Sequence, residues 1–264
     1  MILQDLKRSI FNPRFWLAVL VLFVAYFFQI YTGIKEGILN NPDFYTEPVT
    51  LTDIALGNSH IILAIPSLAA VGYGLCFCHD YKSGYLQLQC ARVSVERYAA
   101  SKALAAMFSG GLINMLSAFI IMEILHAVYP LRFPLVEWDY IQQMMHGMNR
   151  VLFEGGHIGL YFFGMGTSMM LYGALWAMAA LAISAWIPNA FLVLILPMAI
   201  CRVTVLTETW LDLPVWTNLA LFNGNGIYDG VWSNLAVCTV VYGTLIVLCL
   251  WAFWFGVKRR LHHG

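Results

Sequence analysis

The sequence predicts an all-α polytopic membrane protein with six transmembrane helices and both termini on the cytosolic side. Three observations carry that expectation. Hydrophobic residues make up 61% of the 264 residues and charged residues only 11%, less than half the roughly 25% usual in soluble domains. A chain so poor in polar residues cannot cover a core against water, whereas in a bilayer lipid is the solvent for its outer surface. The apolar residues gather into six runs, each near the ~20 residues that cross about 30 Å of hydrocarbon. The basic residues, finally, collect on one side of those runs.

Taken in order, the spans run over about 15–32, 59–78 (with Pro66 inside), 103–129, 159–186, 190–207 and 233–256. The fourth and fifth are separated only by Ile187-Pro188-Asn189, a tight turn in which proline breaks one helix and seeds the next. An even number of spans puts both ends and the 79–102 segment on one face. That face holds Lys7, Arg8, Arg14, Lys82, Arg92, Arg97, Lys102, Lys258, Arg259 and Arg260. The opposite face holds Lys35, Arg132 and Arg150 among acids such as Asp43, Glu47, Asp53, Glu137, Asp139, Asp212 and Asp229. Retention of positive charge in the cytosol therefore predicts N-in, C-in. The N-terminal basic stretch and apolar run also resemble a secretory signal, but the run is long and no small-residue cleavage site follows it.

The six cysteines lie at the basic side or within spans, with none in the outer loops, so no disulfide framework is expected. With no internal repeat, residues 1–264 read as a single transmembrane domain. Zero net charge offers no basis for binding nucleic acid. Residues 1–13 read as an interfacial helix, with Ile2, Leu3, Leu6 and Ile10 on one face and Gln4, Asp5, Lys7 and Arg8 largely elsewhere. Asn12-Pro13 ends it, asparagine as N-cap and proline as first residue of the first span.

The cytosolic segment 80–102, DYKSGYLQLQCARVSVERYAASK, is too polar to insert. Gly84 permits a sharp turn on leaving the second span. Leu86, Cys90 and Val93 repeat at i, i+4 and i+7 and define a short apolar face. Ser94 reads as an N-cap, with Glu96 in the first turn of the third span. A short helix across this face either docks into a groove on a soluble partner or anchors to lipid headgroups.

On these residues the chain resembles the type-2 ATP-binding cassette (ABC) permeases, which are mostly exporters. The family pattern has an acid after the second span, a basic residue, a glycine and a pair of leucines. A hydroxyl residue, an arginine and a lysine entering the third span follow. Asp80, Lys82, Gly84, Leu86, Leu88, Ser94, Arg97 and Lys102 match it in order. Here the acid is aspartate where glutamate is commoner, and the proline often placed before the hydroxyl residue is missing. The resemblance implies that 80–102 is a coupling helix touching an ABC ATPase subunit, through Leu86, Cys90 and Val93 as its apolar contact. It also implies a second permease copy, in a homodimer or a heterodimer with a related permease. ATP and Mg would bind in the partner ATPase, for no G-x-x-x-x-G-K-[ST] sequence occurs in this chain. The multi-pass subunit would sit among the lipids of a cell membrane, in bacteria the cytoplasmic one.

The outer loops, 130–158 and 208–232, are the individual part of the chain. Trp138, Ile141, Met144, Met145, Met148, Val151 and Leu152 recur at helical intervals. They outline a methionine-rich face suited to an apolar or peptide-like substrate, or a helix resting on the outer leaflet. Within the spans, Arg202 requires a partner or a route outward, with Glu123 and Glu208 as candidate acids; the pair would be structural or line a pathway. Two Glu-x-x-His sequences, Glu123–His126 and Glu154–His157, echo a di-iron pattern, but Gly155-Gly156 interrupts the second and further carboxylates are lacking. Cys76-Phe77-Cys78-His79-Asp80 holds four metal-ligand types, which a helix points in different directions. No metal, bound cofactor or catalytic residue is therefore expected. The expectation is the permease subunit of an ABC exporter, itself no enzyme. Its rivals are a membrane-embedded metalloenzyme and a non-transporting peptide-binding immunity or scaffold protein.

Overall fold

The computed structural model describes residues 1–40, 59–128, 158–211 and 231–263. Among them the chain is all-helical, in the order α1 (Ile2–Ile10), α2 (Pro13–Asn40), α3 (Ser59–Tyr73), α4 (Cys76–Lys82), α5 (Tyr85–Cys90), α6 (Val95–Val128), α7 (Ile158–Trp186), α8 (Ala190–Leu211) and α9 (Val231–His263). Five helices are long and apolar enough to cross a membrane; α3 and α4, bent by 44° at residues 74–75, make a sixth if that pair is one span. The chain is thus a multi-pass helical membrane protein.

The helix ends follow their local chemistry. Asn12 accepts a hydrogen bond from the Arg14 N–H at 3.0 Å, capping α2, whose first residue is Pro13 as expected. Ser94 accepts one from the Arg97 N–H at 3.4 Å and caps α6. In the turn between α7 and α8, the seed is Asn189 rather than Pro188: its side chain accepts from the Phe191 N–H at 3.0 Å. The second apolar run is interrupted at Gly74-Leu75, and Pro66 lies inside α3 as expected. All six cysteines are free.

Helix α7 is the centre of the bundle and packs on α6, α9, α3 and α8. In its apolar stretch 78% of residues are buried, against 17% in α8, whose Phe191, Ile195 and Val203 face outward. The seam between α6 and α7 is made by small residues. A Cβ on Gly110 would overlap the Ala177 methyl group, and one on Gly173 would overlap the Gly110 carbonyl oxygen. Backbones in apolar surroundings approach this closely only where side chains are nearly absent.

Both ends of the chain meet the α4–α6 segment. Helix α1 packs on α6. At the other terminus the Arg260 guanidinium donates to the carbonyl oxygens of Trp186 (2.6 Å) and Ala185 (3.3 Å), satisfying the open end of α7. The same guanidinium stands 5.3 Å from the Tyr81 ring centroid, and Phe253 meets Phe77 edge-on at 5.7 Å.

Candidate functional site

The charged group that organises this end of the molecule is Lys102, whose side chain is 2% exposed on α6. An ammonium has three donors, and three acceptors surround this one. They are Asp5 Oδ1 at 3.2 Å, Asp80 Oδ2 at 3.0 Å and the Tyr73 hydroxyl at 3.3 Å. The carboxylates are bonded in turn. Tyr73 donates to Asp5 Oδ1 at 2.7 Å, Ser101 to Asp5 Oδ2 at 2.6 Å and Tyr98 to Asp80 Oδ2 at 2.9 Å. The rings of Tyr73 and Tyr98 flank the ammonium at 5.4 and 5.6 Å, close enough for cation–π attraction. Burial by itself would raise the Asp5 pKa. The Ser101 hydrogen bond, the Lys102 charge and the Tyr73 hydrogen bond outweigh it, and the carboxyl is held below its ordinary value. The node joins four elements: α1, the end of α3, α4 and α6.

Helix α1 docks differently from its expected geometry. Ile2 and Leu3 are exposed, as an interfacial helix requires, but the contact with the bundle runs through buried Asp5 and Ser9 on the polar edge as well as through half-buried Ile10. Those two residues are four apart and so share a side of the helix.

Segment 80–102 departs from expectation in the same sense. Gly84 has φ +70° and ψ 2°, the left-handed turn expected between α4 and α5. Residues 84–93 are not one helix, since α5 ends at Cys90 and a turn follows. The apolar face expected to meet a partner points into the chain itself. Leu86 is 3% exposed, Cys90 is half-buried on the same core and Val93 is half-buried. A six-residue helix is not stable alone, so its apolar stripe is consumed in fastening it to the bundle. Outward it presents Tyr85, Gln87 and Leu88, the last 64% exposed. Lys82 and Arg97 are also exposed. Of the residues in the family pattern, Asp80 and Lys102 are thus paired inside, Gly84 and Ser94 shape the backbone, and Leu88 lies outward.

The remaining candidates are not brought together. Arg202 and Glu123 are both exposed, and the two ion pairs among the described residues both use Lys102. The side chain of Glu208 lies outside the described residues, as do Trp138, Met144, Met145, Met148, Glu154 and His157. Among the described residues no three His, Cys, Asp or Glu side chains converge as metal ligands. In the 76–80 run, Cys78 is buried, His79 is exposed and Asp80 is engaged by Lys102.

Asp5, Tyr73, Tyr98 and Ser101 were not legible as a site. A weak signal existed, since Asp5 and Ser9 line one edge of the α1 apolar stripe and Lys102 begins a long apolar run. Neither observation names the other as partner. Fold and site together define a multi-pass all-helical membrane protein whose terminal helix and inter-span segment are locked to the bundle by a buried Asp–Lys–Asp node. Comparison with protein-family models, with curated proteins and with solved structures finds no match to this chain.

Proposed function

We propose that the chain is the permease subunit of an ABC exporter, with six spans, N-in and C-in, in the cytoplasmic membrane of a bacterium. It moves an apolar or peptide-like substrate outward, paired with a second permease copy and driven by ATP hydrolysis in separate ATPase subunits. The observation that carries this reading is the mounting of α5. A transmitter must be stiffly joined to the spans and yet offer a free surface to the motor. Helix α5 meets both needs. Asp80, just before it, is bonded to Lys102 and Tyr98 of α6, while Tyr85 and Leu88 remain exposed on its outer side. Tyr81 in α4 is further gripped by Arg260 from the C-terminal helix, so a push on α5 is shared among α4, α6 and α9.

The test must use the outward residues, because a charge at Leu86 disrupts the chain's own packing. Leu88→Asp places a charge in the proposed ATPase contact, where an unpaired buried charge costs several kcal/mol. The variant is expected to insert and purify normally. It should lose the Walker-motif ATPase that co-purifies with wild type from native membranes, or the substrate-stimulated hydrolysis of that complex. Gln87→Asp is expected to be milder. Retention of full coupling by Leu88→Asp would remove the support this segment gives to a transporter and favour a non-transporting membrane protein.

A further inference from the structure

Beside the buried node lies a cavity of about 190 Å³ between α1, the start of α2, the α3–α4 break and α6. That is room for about six waters at ~30 Å³ each, the scale of a phosphodiester rather than of a peptide. Its polar lining includes Arg8, Asn12, Arg14, His79, Asp80 and Lys102. We propose that it binds the phosphate group of an anionic phospholipid, an assignment independent of the transporter reading.

The charge balance favours an anion. Asp5 and Asp80 carry two negative charges against the one of Lys102, and all three are engaged with one another. Arg8 and Arg14 then add two positive charges, leaving these five groups at +1. Neither arginine takes part in an ion pair among the described residues. Both are exposed at the cavity rim, and guanidinium groups match phosphate oxygens with paired donors. The surroundings favour a lipid as the bearer of that phosphate. Leu3 on α1 is 73% exposed and Phe11, next to Asn12 of the lining, is 78% exposed. Trp16, two residues beyond Arg14, is also exposed, at the kind of position where tryptophan marks the headgroup level. Basic pockets between helices at that level hold lipid headgroups, and acyl chains would lie along the apolar side that α1 and α2 expose.

The experiment is native mass spectrometry of the full chain in detergent, titrated with phosphatidylglycerol, phosphatidylcholine or inorganic phosphate. Wild type is expected to retain one phosphatidylglycerol in preference to phosphatidylcholine. Each of Arg8→Gln and Arg14→Gln should weaken retention about five-fold and the double variant about 25-fold, as the usual attraction of one basic residue implies. A Lys7→Gln/Arg92→Gln control removes the same charge outside the cavity and should stay within about two-fold of wild type, since surface charge away from the site is screened. Should the double variant not purify, the two single variants decide. Undiminished retention in the arginine variants, or an equal loss in the control, would overturn the site. Saturation by inorganic phosphate that blocks no lipid, or phosphate binding as tight as lipid binding, would overturn the assignment to a phospholipid.

Discussion

Where α6 crosses α7, Gly110 and Gly173 let two backbones touch with no side chain between them. Eight residues earlier on the same helix, Lys102 meets two carboxylates that also accept hydrogen bonds from three hydroxyl groups. The first seam is a close backbone crossing and depends on volume. Its directional bonding is neutral, the buried Asn114 amide of α6 donating to the Met169 carbonyl oxygen of α7 at 2.8 Å, and the crossing fails when anything larger is inserted. The second depends on charge. Its members are costly to bury singly and acceptable only together. The two seams divide the work. The glycine seam holds spans that lipid already confines, whereas the ionic node fastens α1 and α4, elements too short to stand alone.

The ionic node is most vulnerable at Lys102. Lys102→Met leaves Asp5 and Asp80 buried without a counter-charge, and removing one partner of such a group costs about 3–5 kcal/mol. The expected result is a large drop in the melting temperature of the detergent-purified protein, partly recovered when Asp5→Asn and Asp80→Asn are added to the same chain. A melting temperature equal to wild type would mean that the node contributes no net stability. The glycine seam should yield less. Gly173→Ala forces its Cβ against the Gly110 carbonyl, an overpacking worth about 1–3 kcal/mol. It should lower the same melting temperature at every pH alike, and no change of charge elsewhere should rescue it.

Acidification separates the two seams with the smallest expected effect. The folded-state pKa of Asp5 is depressed, so its contribution is fully present above the ordinary aspartate range and is lost as pH falls through the depressed value. Wild-type stability should therefore decline on going from neutral pH to below about 4 more steeply than that of Asp5→Asn, while Gly173→Ala should track the wild-type slope. Parallel curves for wild type and Asp5→Asn would show that the carboxyl is not held down by the node.

Spans four and five, 159–186 and 190–207, were legible to the residue, because a run of apolar side chains and a Pro-Asn turn act locally. The caps at Asn12 and Ser94 and the left-handed turn at Gly84 were legible for the same reason, since each is settled within three or four residues. The apolar stripe of Leu86, Cys90 and Val93 was legible as a stripe but not in its destination. Periodicity says that a face will be buried without saying against what, and here the chain's own bundle buried it. The bend at Gly74-Leu75 and the inward turn of Asp5 likewise required neighbours from other helices. Hydropathy and short-range hydrogen bonding were enough for the membrane class, the apolar runs and the caps at Asn12 and Ser94, though α6 begins eight residues before the expected span and α9 runs seven beyond it. Only the tertiary structure decided which charges pair, because Asp5 and Lys102 stand 97 residues apart and burial makes them indispensable to each other only once four elements have closed around them.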